Sequence, residues 1–173
     1  MAGVHTLKET ERQVSTLLSG MNIDFKAMAV ISNLFRAASA VRKHLERAVL
    51  AKYGLSWTGF VVLWVVWVWE QVETREIAEE VGTSKATLTG VLKTLERDGL
   101  VIKQQSKEDR RLVLVTLTVN GKKLMKKIFP EFNKEEVYLA SSLKSSDRKG
   151  TADALRNITL HAQNDKVEKR KKS

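Results

Sequence analysis

Basic side chains are concentrated in the stretch between residues 84 and 111. This stretch holds seven lysines and arginines against four acids, a surplus of three positive charges. Ammonium and guanidinium groups donate hydrogen bonds to phosphate oxygens and to the edges of nucleic-acid bases. The pattern therefore predicts a surface that binds a polyanion. Its basic members are Lys85, Lys93, Arg97, Lys103, Lys107, Arg110 and Arg111.

The overall charge of the chain is a weaker indication than its distribution. The formal net charge is +10. Residues 166–173 hold five basic residues and one acid, and we expect this tail to be a disordered, solvated end rather than a binding arm. Residues 70–80 are acidic, with five glutamates and only Arg75 as a cation. The predicted polyanion surface therefore depends on residues 84–111.

The sequence lacks the patterns of catalytic and metal-binding proteins. It has no cysteine, and His5, His44 and His161 are far apart. The glycine-rich nucleotide motifs and the motifs of zinc proteases and serine hydrolases do not occur. Ser141 and Lys144 have an S-x-x-K spacing that is common by chance. We expect no enzyme activity, no cofactor and no metal site.

Neither a membrane span nor a secretion signal is predicted. The longest apolar run, from Phe60 to Trp69, is about half of the roughly 20 residues that cross a bilayer. No basic segment followed by an apolar one stands at the N-terminus. We therefore expect a soluble, cytoplasmic protein.

Hydrophobic periodicity indicates one helix before the tryptophans and an ambiguous segment around them. The first ~20 residues are polar and weakly periodic, and a later apolar stripe ends near Gly54, which can adopt a left-handed conformation. From Trp57 to Glu70, after a possible cap at Ser56, the valines favour a strand, whereas the spacing of the aromatic residues favours a helix. The stripe comprises Ile31, Leu34, Phe35, Ala38, Val41, Leu45, Ala48 and Val49.

Two short helices joined by a turn are predicted next, at Arg75 to Glu80 and at Lys85 to Asp98. Hydroxyl side chains can cap both helices, and a glycine can end the second. Two short helices around a glycine-containing turn are typical of a helix-turn-helix. The two caps are Thr74 and Ser84, the turn is Val81-Gly82-Thr83, and the terminating residue is Gly99.

A β-hairpin and two further helices follow. A polar tip lies between two apolar stretches that have the composition of strands. Thr118 can cap a long helix, which Pro130 should kink or interrupt. A last helix begins after Ser145 or Ser146. The first strand is predicted to begin with Leu100-Val-Ile102, the tip runs from Ser106 to Arg110, and the return strand comprises Leu112 to Val115 and Leu117.

The order of these elements resembles the MarR family of bacterial and archaeal regulators, and the detailed match covers residues 55–124. The resemblance implies a mainly α fold with a small β-hairpin wing, that is, a winged helix-turn-helix with N- and C-terminal dimerisation helices. It also implies that Phe60 to Trp69 is a buried helix. The matching segments are Leu55-Ser56, Arg75 to Gly82, Ser84 to Thr89, Leu95 to Val101 and Asp109 to Thr118, followed by Gly121.

The resemblance also divides the chain into four regions. Residues 1–54 form an N-terminal arm and a dimerisation helix, and residues 55–121 form the DNA-binding region. Residues 122–165 form C-terminal dimerisation helices, and residues 166–173 form the basic tail. The implied partners are a second copy of the chain and double-stranded DNA with a pseudo-palindromic operator.

The resemblance places the helix after Ser84 in the major groove as the recognition helix. Lysine can donate to guanine, threonine offers a hydroxyl and a methyl group, and alanine can contact the methyl group of thymine. Hydroxyls at helix N-termini can accompany a bound phosphate, with a plain helix cap as the alternative for each. Gly90 departs from the family pattern, in which a long polar or basic residue is common. The predicted contacts are Ser56, Thr58, Ser84, Lys85, Ala86, Thr87, Thr89, Lys93 and Arg97.

The hairpin tip, or wing, is the second predicted contact with DNA. Asp109 and Arg111 match the family pattern in which an acid positions an arginine that enters the minor groove. A narrow, A·T-rich minor groove has an enhanced negative potential that attracts such an arginine. Arg110 and Lys107 would contact phosphates. The alternative is a solvated, charged loop without a binding role.

A pocket for a small aromatic or phenolic effector is a further expectation, since family members commonly bind such compounds. Apolar walls with a few polar groups suit an aromatic acid. The alternative is packing in the core or in a dimer interface, which we favour for Trp67 and Trp69. The candidate ligand-binding residues are His44, Arg47, Trp57, Phe60 and Trp64.

The sequence therefore predicts a dimeric, sequence-specific transcriptional regulator, and we expect a repressor that a small aromatic ligand releases from DNA. Two alternatives stay open. A winged-helix DNA-binding protein without an effector would show salt-dependent binding with no preference for a palindrome. A protein–protein interaction module would not need the basic surface of residues 84–111.

Overall fold

The computed structural model describes residues 5–164, and the predicted tail at 166–173 lies outside them. The chain divides into two compact units, one up to Trp57 and one from Thr58 onward. The fold is mainly helical with a small antiparallel sheet, as predicted. Its elements are α1 (Leu7–Leu17), α2 (Phe25–Ala48), a 3₁₀ turn (Leu50–Tyr53), α3 (Trp57–Trp69), β1 (Gln71–Glu73), α4 (Thr74–Val81), α5 (Lys85–Arg97), β2 (Val101–Gln105), β3 (Val113–Leu117), α6 (Val119–Ala140) and α7 (Ser145–Asn164).

α1 lies in the polar stretch where periodicity predicts no helix. It begins with a capping box, in which the Glu9 carboxylate accepts the backbone N–H of Thr6 at 2.8 Å and the Thr6 hydroxyl accepts the N–H of Glu9 at 3.2 Å. Hydrogen bonds from the Thr6 hydroxyl and backbone hold the pKa of Glu9 below its ordinary value. Glu11 accepts a hydrogen bond from Nδ2 of Asn33 at 3.0 Å, which joins α1 to α2.

α2 contains the predicted apolar stripe but buries only part of it. Leu45 is 2% exposed, whereas Phe35 is 70% exposed. The prediction that Gly54 ends this helix is wrong. α2 ends at Ala48 because the next residue, Val49, leaves helical geometry with a φ of −121° and the chain tightens into the 3₁₀ turn. Gly54 adopts the expected left-handed conformation, with a φ of 64°, but it ends that turn.

α3 is the buried helix that the resemblance implies, and not a strand. Val62, Leu63 and Val66 are all 0% exposed, as a helix that is apolar nearly all round requires. α3 ends at Trp69, one residue before the predicted end. Glu70 has a φ of 63°, and this left-handed residue turns the chain into β1.

α4 and α5 form the predicted helix-turn-helix, although α4 is longer than predicted and includes both Thr74 and Val81. Thr74 is the first residue of α4 and not its cap, because β1 extends through Glu73 and leaves that residue in the capping position. The backbone N–H of Glu73 donates to the Glu76 carboxylate at 3.2 Å. Gly82 ends α4 with a φ of 65°, and Ser84 caps α5 as predicted.

The hairpin belongs to a three-stranded antiparallel sheet in the order β1-β3-β2. Val115 of the central strand is opposite Val72 of β1 and Lys103 of β2. Both predicted hairpin strands are present, although β2 begins at Val101 and β3 at Val113, each one residue late. The sequence analysis does not predict β1. The sheet therefore links the start of α4 to the wing.

α6 and α7 complete the second unit. Thr118 caps α6 as predicted, and α6 runs unbroken across Pro130, so the interruption predicted as one of two effects is wrong, whereas a kink stays a prediction. Ile128 and Phe132, which flank the proline, are 0% and 5% exposed. Their burial stabilises the helix on both sides of the hydrogen bond that proline cannot make. α7 begins at Ser145, one residue before the earlier of the two predicted starts.

Candidate nucleic-acid interface

α5 has a buried apolar side and an exposed polar side. Leu88, Leu92 and Leu95 are 2%, 3% and 2% exposed and anchor the helix. The helix ends at Arg97, one residue earlier than predicted, with Asp98 as its C-cap. All the predicted contacts of this segment are on its exposed side. They are Ser84, Lys85, Ala86, Thr87, Thr89, Lys93 and Arg97, together with Gly90.

Two hydroxyl side chains, those of Ser84 and Thr87, lie at the N-terminus of α5. Oγ of Ser84 accepts the backbone N–H of Thr87 at 3.1 Å and lies 2.9 Å from Oγ1 of the same threonine. Ser84 therefore has the capping role that the sequence analysis held as an alternative. The amides of a helix N-terminus also favour a phosphate, and that second role for Ser84 stays a prediction.

A cavity of about 550 Å³ lies between α4, the start of α5 and the wing. Lys85 and Arg111 both line it, although they are far apart in the sequence. An anionic strand that entered this cavity would contact an ammonium and a guanidinium group together. The cavity is also lined by Glu73, Thr74, Arg75, Ala78, Glu79, Gly82, Thr83, Leu112 and Val113.

Arg75 is a cavity residue that the sequence analysis does not include among the contacts. Its Nε donates to Oε1 of Glu79 at 3.0 Å. This hydrogen bond, together with the charge of Glu79, raises the pKa of Arg75 above its ordinary value. The Arg75 side chain is 85% exposed, so a phosphate could replace Glu79 as its partner. Its only signal in the sequence is that it is the single cation of an acidic segment.

The turn of the wing is built around Ser106. This residue is 8% exposed, and its hydroxyl oxygen accepts the backbone N–H groups of Glu108 and Asp109 at 3.2 and 3.3 Å. Oδ1 of Asp109 accepts the N–H of Arg111 at 2.9 Å and lies 3.4 Å from its Nε. The side chain of Arg111 is 92% exposed. The Asp109 carboxylate therefore fixes the backbone of Arg111, while most of the arginine side chain is exposed to solvent.

The other basic residues of the predicted surface divide into two groups. Lys107 and Arg110 are exposed on the turn of the wing. Lys103 instead pairs with Glu96 at 2.8 Å and ties β2 to α5. Arg97 donates through Nε to the adjacent aspartate at 2.9 Å. These acids reduce the contribution of Lys103 and Arg97 to the positive surface.

The remaining predicted DNA contacts lie at the start of α3. Ser56 is exposed immediately before the helix, and Thr58 is partly buried in its first turn. The two residues fall in different compact units. A contact between either residue and phosphate stays a prediction.

Two of the candidate ligand-binding residues pack against α6. The ring of Phe60 stacks on that of Phe132, with 4.4 Å between centroids, and the ring of Trp64 stacks on Phe129 at 4.9 Å. Phe60 is 4% exposed. The structure thus gives both side chains the packing role that was the alternative to ligand binding.

The other aromatic candidates differ in their exposure. Trp67 meets a phenylalanine of α6 edge-on at 5.8 Å, as expected for a packed residue. Trp69 is 66% exposed, so the packing expected for it is not found within one chain. In the first unit His44 and Trp57 are partly buried and Arg47 is exposed.

The described part of the chain contains neither a metal-binding cluster nor a membrane-spanning helix. Within residues 5–164, no group of three or more histidine, cysteine or acidic side chains is arranged to hold a metal ion. No helix in the same range is both long and apolar enough to cross a membrane.

Residues 55–113 match the model of the MarR family. They include α3, the helix-turn-helix and the wing. The uncharacterized HTH-type transcriptional regulator YwaE of Bacillus subtilis (strain 168) is 37% identical over 155 residues, which cover 88% of this chain and 91% of YwaE. The similarity therefore extends well beyond the region of the family model.

Two solved structures show the same fold. BpsR of Bordetella bronchiseptica, whose DNA binding is regulated by 6-hydroxynicotinic acid, superposes with a TM-score of 0.69 at 24% identity, over 76% of this chain and 98% of BpsR. Reduced AbfR bound to DNA superposes with a TM-score of 0.62 at 22% identity, over 80% of this chain and 96% of AbfR.

Proposed function

Because this chain belongs to the MarR family of DNA-binding transcriptional regulators, we propose that two copies of it bind one pseudo-palindromic operator and repress transcription. Each copy places α5 in a major groove and the wing in the adjacent minor groove. The two half-sites then lie about one helical turn apart, ~34 Å along the DNA. A dimer bound across a promoter excludes the transcription machinery from the DNA it covers.

The observation that supports this proposal most directly is that Lys85 and Arg111 line the same cavity. Phosphate contacts fix the register of a protein on DNA, and contacts to base edges then specify the sequence. In the proposed complex Lys85 and the wing supply phosphate and minor-groove contacts, and the exposed side of α5 supplies base contacts. The proposed DNA-binding residues are Ser56, Thr58, Ser84, Lys85, Ala86, Thr87, Thr89, Lys93, Arg97, Lys107, Asp109, Arg110 and Arg111.

Apolar side chains that each unit leaves exposed support the homodimer. On α2, Val30, Ile31 and Phe35 are 55%, 43% and 70% exposed, and on α7, Leu155 and Leu160 are 42% and 49% exposed. Grouped apolar surface of this kind marks an interaction site, because covering it removes apolar area from water. A second copy of the chain supplies the cover in this proposal, and α2 and α7 are the dimerisation helices.

A small aromatic or phenolic acid is the proposed effector. BpsR, which shares the fold, responds to 6-hydroxynicotinic acid. Such a ligand releases a dimer from DNA if it binds more tightly when the recognition helices are wrongly spaced for the operator. Since Phe60 and Trp64 pack against α6, the proposed ligand-binding residues are His44, Arg47 and Trp57 of the first unit.

Selection of bound sequences from random duplex DNA, using the full chain, tests the proposal. We expect enrichment of a palindrome whose half-sites are about 10 base pairs apart. We also expect less DNA to be recovered in the presence of 6-hydroxynicotinic acid or 4-hydroxybenzoic acid. Binding without a palindrome would indicate an architectural DNA-binding protein, and no DNA binding would indicate a protein-interaction module. Recovery unchanged by both acids would remove them as effectors.

A further inference from the structure

The exposed side of α5 has small residues along its centre near the N-terminus and basic residues near the C-terminus. Ala86 and Gly90 are four residues apart and lie on the line farthest from the buried leucines, with Lys93 and Arg97 continuing that line toward the C-terminus. The first two turns therefore present almost no side chain along the centre of the face. Thr89 is an exposed side chain on one side of this line, and Thr87 and Thr94 are exposed on the other side.

The hydroxyl hydrogen of Thr89 is already used within the helix. Oγ1 of Thr89 donates to the backbone carbonyl oxygen of Lys85 at 2.8 Å. Thr94 makes the same kind of bond to the carbonyl of Gly90 at 3.2 Å. A threonine held in this way offers DNA its methyl group and the lone pairs of its oxygen, but no hydrogen-bond donor.

This distribution of groups discriminates between base pairs in a major groove. Guanine presents only acceptors on its major-groove edge, so it gains nothing from a threonine without a donor. Adenine and cytosine both present amino donors that the threonine oxygen could accept, whereas only thymine presents a C5 methyl group. Ala86 and Gly90 add no polar side-chain atoms beside Thr89, whereas Lys85 and Lys93 lie four residues before and after it on the same side of α5.

We propose that Thr89 is a specificity-determining residue that reads thymine through methyl–methyl contact, so that each half-site has a thymine opposite the first two turns of α5. The inference rests on the proposed function, which places α5 in the major groove. Lys85 and Lys93, at either end of this stretch, contact phosphate or guanine at its flanks. Specificity at the centre of the half-site then comes from apolar contact and not from hydrogen bonds.

Replacing thymine by deoxyuridine tests this directly, because uracil lacks only the C5 methyl group and keeps every hydrogen-bonding atom. A duplex recovered by the selection is resynthesised with one substitution at a time in its half-sites. We expect one symmetric position at which deoxyuridine weakens binding of the full chain by about four-fold per half-site, the effect of exposing one methyl group. Equal affinity for thymine and uracil at every position would overturn the inference.

Two variants assign the effect to Thr89. Thr89→Val keeps a γ-methyl group and removes the hydroxyl, so it should retain the preference for thymine over uracil. Thr89→Ser keeps the hydroxyl and removes the methyl group, so it should bind both duplexes equally. A Thr89→Ser variant that still discriminates would refute the assignment, and thermal melting verifies that both variants are folded.

The same experiments separate this inference from the proposed function. A selected palindrome that has no thymine in its half-sites, or that tolerates uracil throughout, contradicts the reading of thymine and leaves the regulator intact. Failure to recover any bound sequence contradicts the proposed function, and the inference falls with it.

Discussion

The hydroxyl oxygen of Ser106 accepts a hydrogen bond from the backbone N–H of Asp109 at 3.3 Å, inside the turn of the wing. Asp109 in turn holds the backbone of Arg111 through its carboxylate at 2.9 Å. A buried hydroxyl is thus linked, through one acid, to an arginine that is almost fully exposed. The link positions Arg111 relative to the sheet, because Ser106 directly follows β2.

Ser106→Ala should weaken DNA binding with little effect on the fold. The change leaves two backbone N–H groups of the turn without their acceptor, and one such hydrogen bond contributes about 1 kcal/mol. Because the turn then orders Arg111 less well, we expect affinity to fall about five-fold in a titration with operator DNA. Amide exchange of Glu108 and Asp109 should become faster. Ser142→Ala, outside the proposed interface, serves as the control, and unchanged exchange in the Ser106 variant would contradict the argument.

Arg111→Ala should lower affinity for DNA by about ten-fold, the loss expected for hydrogen bonds from a charged group. The effect should be largest on operators with an A·T-rich flank, because a narrow minor groove attracts arginine most strongly. Arg111→Lys keeps the charge, so its affinity for DNA should lie between those of Arg111→Ala and the parent chain. Arg12→Ala, an exposed arginine on α1 outside the proposed DNA-binding surface and the proposed dimerisation helices, is the matched control. If Arg111→Ala binds as well as the parent chain, the wing does not enter the minor groove.

Phe35→Asp should convert the dimer into monomers. The ring is 70% exposed in the single chain, and in the proposed dimer a carboxylate at this position would be buried without a partner, at a cost of several kcal/mol. Sedimentation equilibrium at micromolar concentration measures the change. Lys43→Asp, an exposed polar position on α2, controls for the new charge. A Phe35→Asp chain that stays dimeric would place the interface elsewhere.

Local signals in the sequence are sufficient to predict most of the helices. Ser84 and Gly99 bracket α5, and the predicted end of that helix differs by a single residue. Caps and glycine stops act over three or four residues, so they can be identified without the rest of the fold. The capping box of Thr6 and Glu9 is a signal of the same kind, and it identifies α1 where periodicity does not.

Elements that depend on distant partners are not predictable in this way. β1 has only three residues, Gln71–Glu73, and it is a strand because these residues pair with β3. Pro130 is a strong local signal against helix, yet the burial of Ile128 and Phe132 outweighs it. In both cases tertiary packing decides the conformation.

The candidate site shows the same division between local and distant information. Residue type and order predict Lys85 and Arg111 as separate contacts with DNA. The cavity that both residues line is formed by the packing of α4 against β3 and α5. Arg75 lines the same cavity. Ser106 is likewise buried because it lies at the end of the sheet. The sequence does not predict this burial, because the neighbours of Ser106 are polar.

Gly121→Ala should destabilise the second unit, whereas Gly90→Ala should stabilise it slightly. A Cβ atom at residue 121 would overlap the backbone carbonyl oxygen of Leu100, which already accepts the N–H of Thr118 at 3.0 Å. Overpacking of this kind costs about 1–3 kcal/mol of unfolding free energy. A Cβ at Gly90 meets nothing within 4 Å, and alanine gains about 0.5–1 kcal/mol over glycine within a helix. Urea unfolding measures both changes, and equal midpoints for the two variants would contradict the close approach at Gly121.

Lys85→Met should reduce the salt dependence of DNA binding. Each phosphate contact releases condensed counterions, so removing one contact should lower the slope of log K against log salt by about 0.9. Methionine retains much of the length of the side chain and a good helix propensity, so the loss reflects charge more than packing.

Lys134→Met, an exposed lysine on α6, should leave the slope unchanged if the DNA-binding surface is limited to α5 and the wing. A double variant with Arg110→Ala should lower the slope by about twice as much, because Arg110 is the proposed contact of the wing with a second phosphate. An unchanged slope for Lys85→Met would show that Lys85 does not contact phosphate, even if affinity falls for other reasons.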